Sequence, residues 1–333
     1  MDKRFDLGWG NSVAVRSAFL ETCTGRPLIF SMKDLEGMNY PPHEGDADLI
    51  NLTRRVIERQ VGPTFNHILL TNGATGGVTI ALRAFKKRGY NTAFTRSAPY
   101  FPLYPMQIRS AGLIHKTEGD DRLEGDKTVG LIDSPTNPHG VIVTEHGIFS
   151  MPVIWDAVYH NRVYTNGNYK PMSCDVITGS YSKLLGVNGL RTGWVATNDG
   201  LLYERMKELV TAEYSGLSSA STSILLELIG QFKDHRWWEE FESKARFSLD
   251  YNRGEWSKLG AYFGGVSASP IGMFYYSYMD RACKRLMAKS GITWTTGSSL
   301  GSTDEYGRFN LGQDCRLIRN AVREVLKNDR IRS

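Results

Sequence analysis

A chain of 333 residues has room for roughly two domains at ~150 residues each, which excludes a disulfide-stapled miniprotein or a single small binding module. Hydrophobic residues at 41% and charged residues at 23% exclude a disordered or collagen-like chain, and 40 Lys and Arg against 35 Asp and Glu leave +5, too diffuse for a nucleic-acid-binding stripe. No run approaches the ~18 consecutive apolar residues of a membrane span, and MDKRFDLGWG lacks the apolar block of a signal peptide, so the expectation is a cytoplasmic protein without membrane or nucleic-acid partners.

Between residues 66 and 200, short apolar runs alternate with turns and helical stretches. HILLT (67–71) leads through NGATGG into an amphipathic helix ending near Arg88, and NTAFT (91–95) leads through SAPYF into a second helix. TVGLID (128–133), PVIWD (152–156), CDVITG (174–179) and GWVAT (193–197) follow as strands. Such alternation predicts an α/β unit with a mostly parallel central sheet flanked by helices. After residue 200 the pattern turns helical, in LLYERMKELVTAEY, ILLELIGQF and a long charged stretch from His235 to Leu259. The tail returns to strand (GMFYYSYM), helix (RACKRLMAKSG), strand (GRFNLG) and a closing helix near 314–328. These patterns predict a large α/β domain over 41–250 and a smaller α+β domain formed by 1–40 and 251–333.

Several segments carry candidate chemistry. In GSYSKLLGVNGLRTGW (179–194) a strand ends in a hydroxyl- and Gly-rich turn holding Lys183, with Arg191 eight residues on. Strand ends are where an open α/β sheet forms its ligand crevice. TNGATGG (71–77) lies between strand and helix, where unpaired amides and the positive dipole end attract anions; a merely tight turn is the plain alternative. Asp156 in WDAVY closes an apolar strand and needs a partner, since a lone buried carboxylate is costly. Cys23, Cys174, Cys283 and Cys315 are scattered without zinc spacing, so no metal site is expected.

Taken in order, these motifs resemble those of the class I/II aminotransferases, fold type I enzymes that use pyridoxal 5'-phosphate (PLP); the resemblance runs from about Leu7 to Gly312. It implies that Lys183, in an S-x-S-K turn, forms the Schiff base with PLP. It implies that Ser180, Ser182, Arg191, Gly73, Ala74 and Thr75 hold the cofactor, chiefly at its phosphate. IDSPTNPHG (132–140) is similar to the family's N-P-x-N-P-T-G signature, which gives Asn137 to the phenolic oxygen of the ring; WDAVY gives Asp156 to the pyridine nitrogen and Tyr159 to the same phenolic oxygen. In SAPYFPLY the stacking ring is Phe101, with Tyr100 as the fallback, and Tyr40 matches a tyrosine that reaches the phosphate of the neighbouring subunit, implying a homodimer with shared sites. Arg308 matches the arginine that grips a substrate carboxylate, joined by Asn137 and Gly10.

The implied activity is transfer of an amino group from an amino acid to a 2-oxo acid, with Lys183 moving the proton at Cα. The same cofactor also serves decarboxylases, lyases and oxidases, and a non-catalytic scaffold on this fold stays open. The chain departs from the family in its spacing. Asp156 follows Asn137 by only 19 residues and Lys183 follows Asp156 by 27, so the crossover between the strands ending at Asp133 and Asp156 is expected to be cut to a turn or lost.

Overall fold

The computed structural model describes residues 5–23, 39–62, 64–118, 120, 127–143, 151–165, 171–230, 235–267 and 271–330. The chain enters on β1 (Phe5–Asp6) and α1 (Val13–Thr22) and then forms α2 (Ala47–Gln60), whose N-cap Asp46 accepts from the amides of Asp48 and Leu49 at 2.9 and 3.0 Å. Strand β2 (His67–Asn72) runs directly into α3 (Gly73–Lys87), and β3 (Thr92–Thr95), α4 (Tyr104–Ser110) and β4 (Ile114–Thr117) follow. Next come β5 (Thr128–Asp133), β6 (Val153–Asp156), α5 (Arg162–Thr165), β7 (Val176–Ser180), the single turn α6 (Tyr181–Leu184) and β8 (Thr192–Thr197). Three helices, α7 (Gly200–Tyr214), α8 (Ser219–Gly230) and α9 (His235–Ser257), precede the tail. The tail holds β9 (Gly264–Ser267), β10 (Phe274–Tyr278), α10 (Arg281–Lys289), β11 (Ile292–Thr293), β12 (Thr295–Thr296), β13 (Tyr306–Asn310) and α11 (Cys315–Arg330).

Strands β2 to β8 form one seven-stranded sheet in the order β2-β8-β7-β6-β5-β3-β4, parallel except for β8, which runs antiparallel to both its neighbours. Successive residues of its central strands feed opposite cores. Leu131, Ile154 and Val176 join a cluster with α3, α4 and α7, whereas Ile132, Trp155 and Ile177 join one with α1, α2, α8 and α9. Period-two alternation with apolar residues on both sides is what a sheet covered by helices on both faces requires, and it explains why these strands read as unbroken apolar runs.

A second, antiparallel sheet, β12-β13-β10-β9, packs with α10 and α11 around Trp256, Phe263, Tyr275 and Phe309. Strand β1 pairs in parallel with β11, and Leu7 enters this smaller core, while α1 packs along α9 beside the large sheet. Strands β5 and β6 pair directly, Asp133 opposite Asp156, and residues 134–143 between them form no helix; residues 144–150 lie outside the described residues.

This topology collects one edge of the large sheet. The C-terminal ends of β5, β6 and β7 bring Asp133, Asp156 and Ser180 to the same side, where β8 begins after Arg191 and where β2 hands over to α3 at Gly73. It is the crevice position expected of an open α/β sheet.

Candidate active site

At that edge lies a cavity of about 700 Å³, closed on its other side by the small unit through Phe274, Trp294, Thr295 and Arg308 and by the N-terminal segment at Gly8, Trp9 and Gly10. Ser180 caps α6, its hydroxyl accepting from the Ser182 amide at 3.1 Å and donating to the Thr192 carbonyl at 3.1 Å. That cap fixes the turn carrying Lys183, whose Nζ donates to the carbonyl of Gly10 while its own carbonyl accepts from the Tyr164 hydroxyl at 3.0 Å.

Gly73 opens α3 with φ +69°, and a Cβ there would lie 2.8 Å from Nη2 of Arg191. Only glycine combines that backbone with so close a guanidinium. Arg191 itself is left-handed at φ 51° and donates from Nη1 to the Asn188 carbonyl at 3.1 Å. Gly193 makes the same economy of space, since a Cβ there would meet the Gly73 carbonyl carbon at 2.5 Å and the Gly179 oxygen at 2.6 Å.

On the opposite wall Arg308, 6% exposed, donates to Oδ1 of Asn137 at 2.9 Å, to the Gly8 carbonyl at 3.2 Å and to Thr295 Oγ1 at 3.1 Å. Its Cζ stands 4.2 Å from the Phe274 ring centroid, a cation–π contact. With Oδ1 of Asn137 so engaged, Nδ2 is the atom left to donate elsewhere. Asp156 accepts from the Tyr104 hydroxyl at 2.8 Å and from the Val158 amide at 3.1 Å.

Electrostatics follows from burial. Desolvation, reinforced by the Arg308 and Arg191 guanidiniums, pushes the Lys183 ammonium down to about 8. Burial raises the Asp156 carboxyl, opposed by its bonds from Tyr104 and Val158, and burial lifts the Tyr159 phenol well above its ordinary range.

Lys183, Asp156, Tyr159, Asn137, Ser180, Ser182, Arg191, Ala74, Thr75, Phe101, Gly10 and Arg308 all line this one cavity, with Gly73 directly behind Arg191. Phe101 faces it, whereas Tyr100 turns toward Gly301 and His115 on a separate, smaller cavity. Tyr40 stands apart, 92% exposed and outside the lining. Sequence reasoning missed Tyr104, Asp133 and Thr295. Tyr104 sat inside SAPYFPLY, but nothing local marks a tyrosine whose partner is 52 positions away.

The donor set can be tested against PLP. The buried Ser182 hydroxyl has no partner, and the missing side chain of Gly73 leaves room beside the Arg191 fork, which with the amides at the start of α3 suits a phosphate dianion. An uncharged amine from Lys183 suits an aldehyde, and the buried Asp156 carboxylate suits a protonated ring nitrogen. The residues fit the group. Among the described residues no cluster of three or more His, Cys, Asp or Glu could hold a metal, and no helix is long and apolar enough to cross a membrane.

A family model described as aminotransferase class I and II matches residues 32–325. A (5-formylfuran-3-yl)methyl phosphate transaminase of Methanocaldococcus jannaschii is 24% identical over 235 residues, 63% of this chain and 59% of its own. An alliin lyase of Allium cepa var. aggregatum is 28% identical over 149 residues, 42% of this chain and 33% of its own. The chain thus spans about six tenths of the first relative and a third of the second. The aromatic aminotransferase from Pyrococcus horikoshii OT3 superposes with a TM-score of 0.75 at 18% identity, covering 100% of this chain and 97% of that one, a likeness of fold.

Proposed function

The chain belongs to the class I and II aminotransferase family, and from that premise we propose that it carries PLP on Lys183 and moves an amino group from an amino acid to a 2-oxo acid. The observation that supports this most is the meeting, in one cavity, of a buried lysine whose ammonium is depressed to about 8 with Asp156, Arg191 and Arg308.

When bound, PLP supplies an electron sink for the charge left at a substrate's Cα. Arg191, Ser182 and the residues 73–75 would hold the phosphate, joined by Ser180 once its hydroxyl turns from the Thr192 carbonyl. Asp156, kept in place by Tyr104 and the Val158 amide, keeps the ring nitrogen protonated. Asn137 through Nδ2 and Tyr159 through its hydroxyl hold the phenolic oxygen, and Phe101 covers the ring. Arg308, already desolvated and seated on Phe274, takes the substrate carboxylate in its planar fork, with Asn137 and Gly10 bounding that end of the cavity. Lys183, uncharged above about pH 8, would be the base that accepts the proton from the substrate's Cα and holds it on Nζ. The working unit is a cytoplasmic homodimer in which Tyr40 reaches into the partner's site, consistent with its exposure here.

Borohydride reduction of protein saturated with PLP, followed by peptide mass mapping, is expected to place the adduct on Lys183. A protein saturated with the aldehyde that carries no adduct there overturns the reading. The alliin lyase relative favours a second reading, β-elimination, which begins with the same proton removal but expels a leaving group. It is separated by products. Elimination releases ammonia and a 2-oxo acid in a single half-reaction, whereas transamination accumulates the amine form of the cofactor until a 2-oxo acid is added.

A further inference from the structure

Two carboxyls meet at the sheet edge where the family resemblance accounts for one. Asp133 and Asp156 are register partners on adjacent parallel strands, both buried, and both line the main cavity. Oδ2 of Asp133 accepts from the Asn137 amide at 2.7 Å, and Asn137 in turn receives Arg308 through its side chain. Asp133 therefore stands between the carboxylate aimed at the ring nitrogen and the loop bearing the substrate-binding arginine.

It also stands where the site adjoins a further cavity. A second cavity of about 230 Å³ lies behind the first, and Asp133 and Tyr104 wall both. Its far side is formed by Arg96, Ser97 and Glu118, with Ser97 and Glu118 exposed and Arg96 and Glu118 paired at 3.7 Å. That cavity gives Asp133 a second face outside the main one.

We propose that Asp133 is a second working carboxyl of the cofactor site, a positioning residue that secures the Asn137 loop in either protonation state and whose ionisation adds a negative charge beside Asp156. The inference rests on the reading that the cavity holds PLP. The groups facing Asp133 are Asp156 on β6, Tyr159 just beyond it, Tyr104 on α4, Arg96 after β3 and His139 across the smaller cavity, with Lys183, Arg191 and Arg308 on the walls opposite. Burial is the dominant influence, and with the neighbouring Asp156 charge it overcomes the Asn137 amide and Arg96 to lift the carboxyl to about 7. Asp133 is thus mostly neutral in mildly acidic solution and charged above neutrality, and in the charged form it strengthens the hold on a cationic ring.

The test uses Asp133→Asn, which keeps an oxygen for the Asn137 amide and removes only the charge. In cofactor-free protein labelled at the aspartate carboxyl carbons, one NMR signal should titrate with a midpoint near 7 and be missing from the variant. If every aspartate titrates in the ordinary acidic range, the proposal is overturned. Thermal melts establish that the variant folds and read the same charge. Wild type binds the extra proton only when folded, so it should lose stability relative to D133N as pH rises from about 4 to about 7, with the gap constant above.

PLP titrations of both proteins complete it. Affinities should agree at about pH 5.5, and the variant should bind roughly tenfold more weakly at about pH 8.5, the effect of losing one nearby charge at an effective dielectric of about 20. Binding by both with an identical pH dependence overturns the role given to Asp133. Failure of both to bind at any pH overturns the PLP reading itself, and the inference with it.

Discussion

Lys183 is held by backbone rather than by charge, with its amine on the Gly10 carbonyl and its own carbonyl on Tyr164, and among the described residues no carboxylate forms an ion pair with it. The sign follows directly. With its ammonium lowered from 10.5 to about 8, the reactive amine is available above about pH 8, so the rate at which cofactor-free protein captures PLP should rise with a midpoint there. A midpoint near 10.5 in stopped-flow absorbance would show that the lysine is solvated. Arg308→Lys should raise KM for the amino donor by roughly ten- to a hundredfold, because an ammonium cannot present a fork, while PLP affinity measured by titration stays within about twofold. At this scale the sequence was legible wherever a residue carried its own context: Lys183 in its hydroxyl-rich turn, Asn137 between prolines, Asp156 closing an apolar strand. Tyr104 and Asp133 were not legible, since their importance lies in cross-strand and helix-to-strand neighbours that only the fold creates.

Among elements, β8 is the exception. It reads as one more apolar strand yet runs against its neighbours, and no local signal distinguishes parallel from antiparallel when both faces are buried. Its reversal lets the loop from α6 return within a few residues and places Arg191 beside the start of α3. The fit is tight at Gly193, where a Cβ would collide with backbone, and slack at Gly189 in the same loop, where nothing lies within 4 Å. Gly193→Ala should therefore cost roughly 1–3 kcal/mol and lower Tm by several degrees, with weakened PLP binding, whereas Gly189→Ala should leave Tm within about 1 °C. Equal melting temperatures for the two variants would contradict the close approach of β8 to α3. The expectation that the connection after β5 is cut to a turn or lost falls partly on residues 144–150, outside the described ones; that its flanking strands pair side by side required the fold.

For the whole molecule, the tail's return to strand suggested a smaller α+β unit joined by the N-terminal 40 residues, and the structure divides that N-terminal stretch, β1 pairing with β11 and α1 lying along α9. Tyr40 gives the assembly a direct test. Lys183→Ala and Tyr40→Ala proteins should each be inactive alone, yet after mixing and subunit exchange recover about a quarter of wild-type activity, because half the dimers pair one intact lysine with one intact tyrosine. Absence of recovery in a mixture shown to exchange would mean each chain's site is self-sufficient.

Arg308 grows from β13 in the small sheet, yet its guanidinium rests on Asn137 in the loop that leaves β5 of the large one, with Gly8 and Thr295 alongside. It is a clasp across the seam between the two halves. A carboxylate seated on the donor that guanidinium still keeps, the unpartnered Nε, would be bound by a side chain that already touches both halves, so the guest would lie on the seam itself.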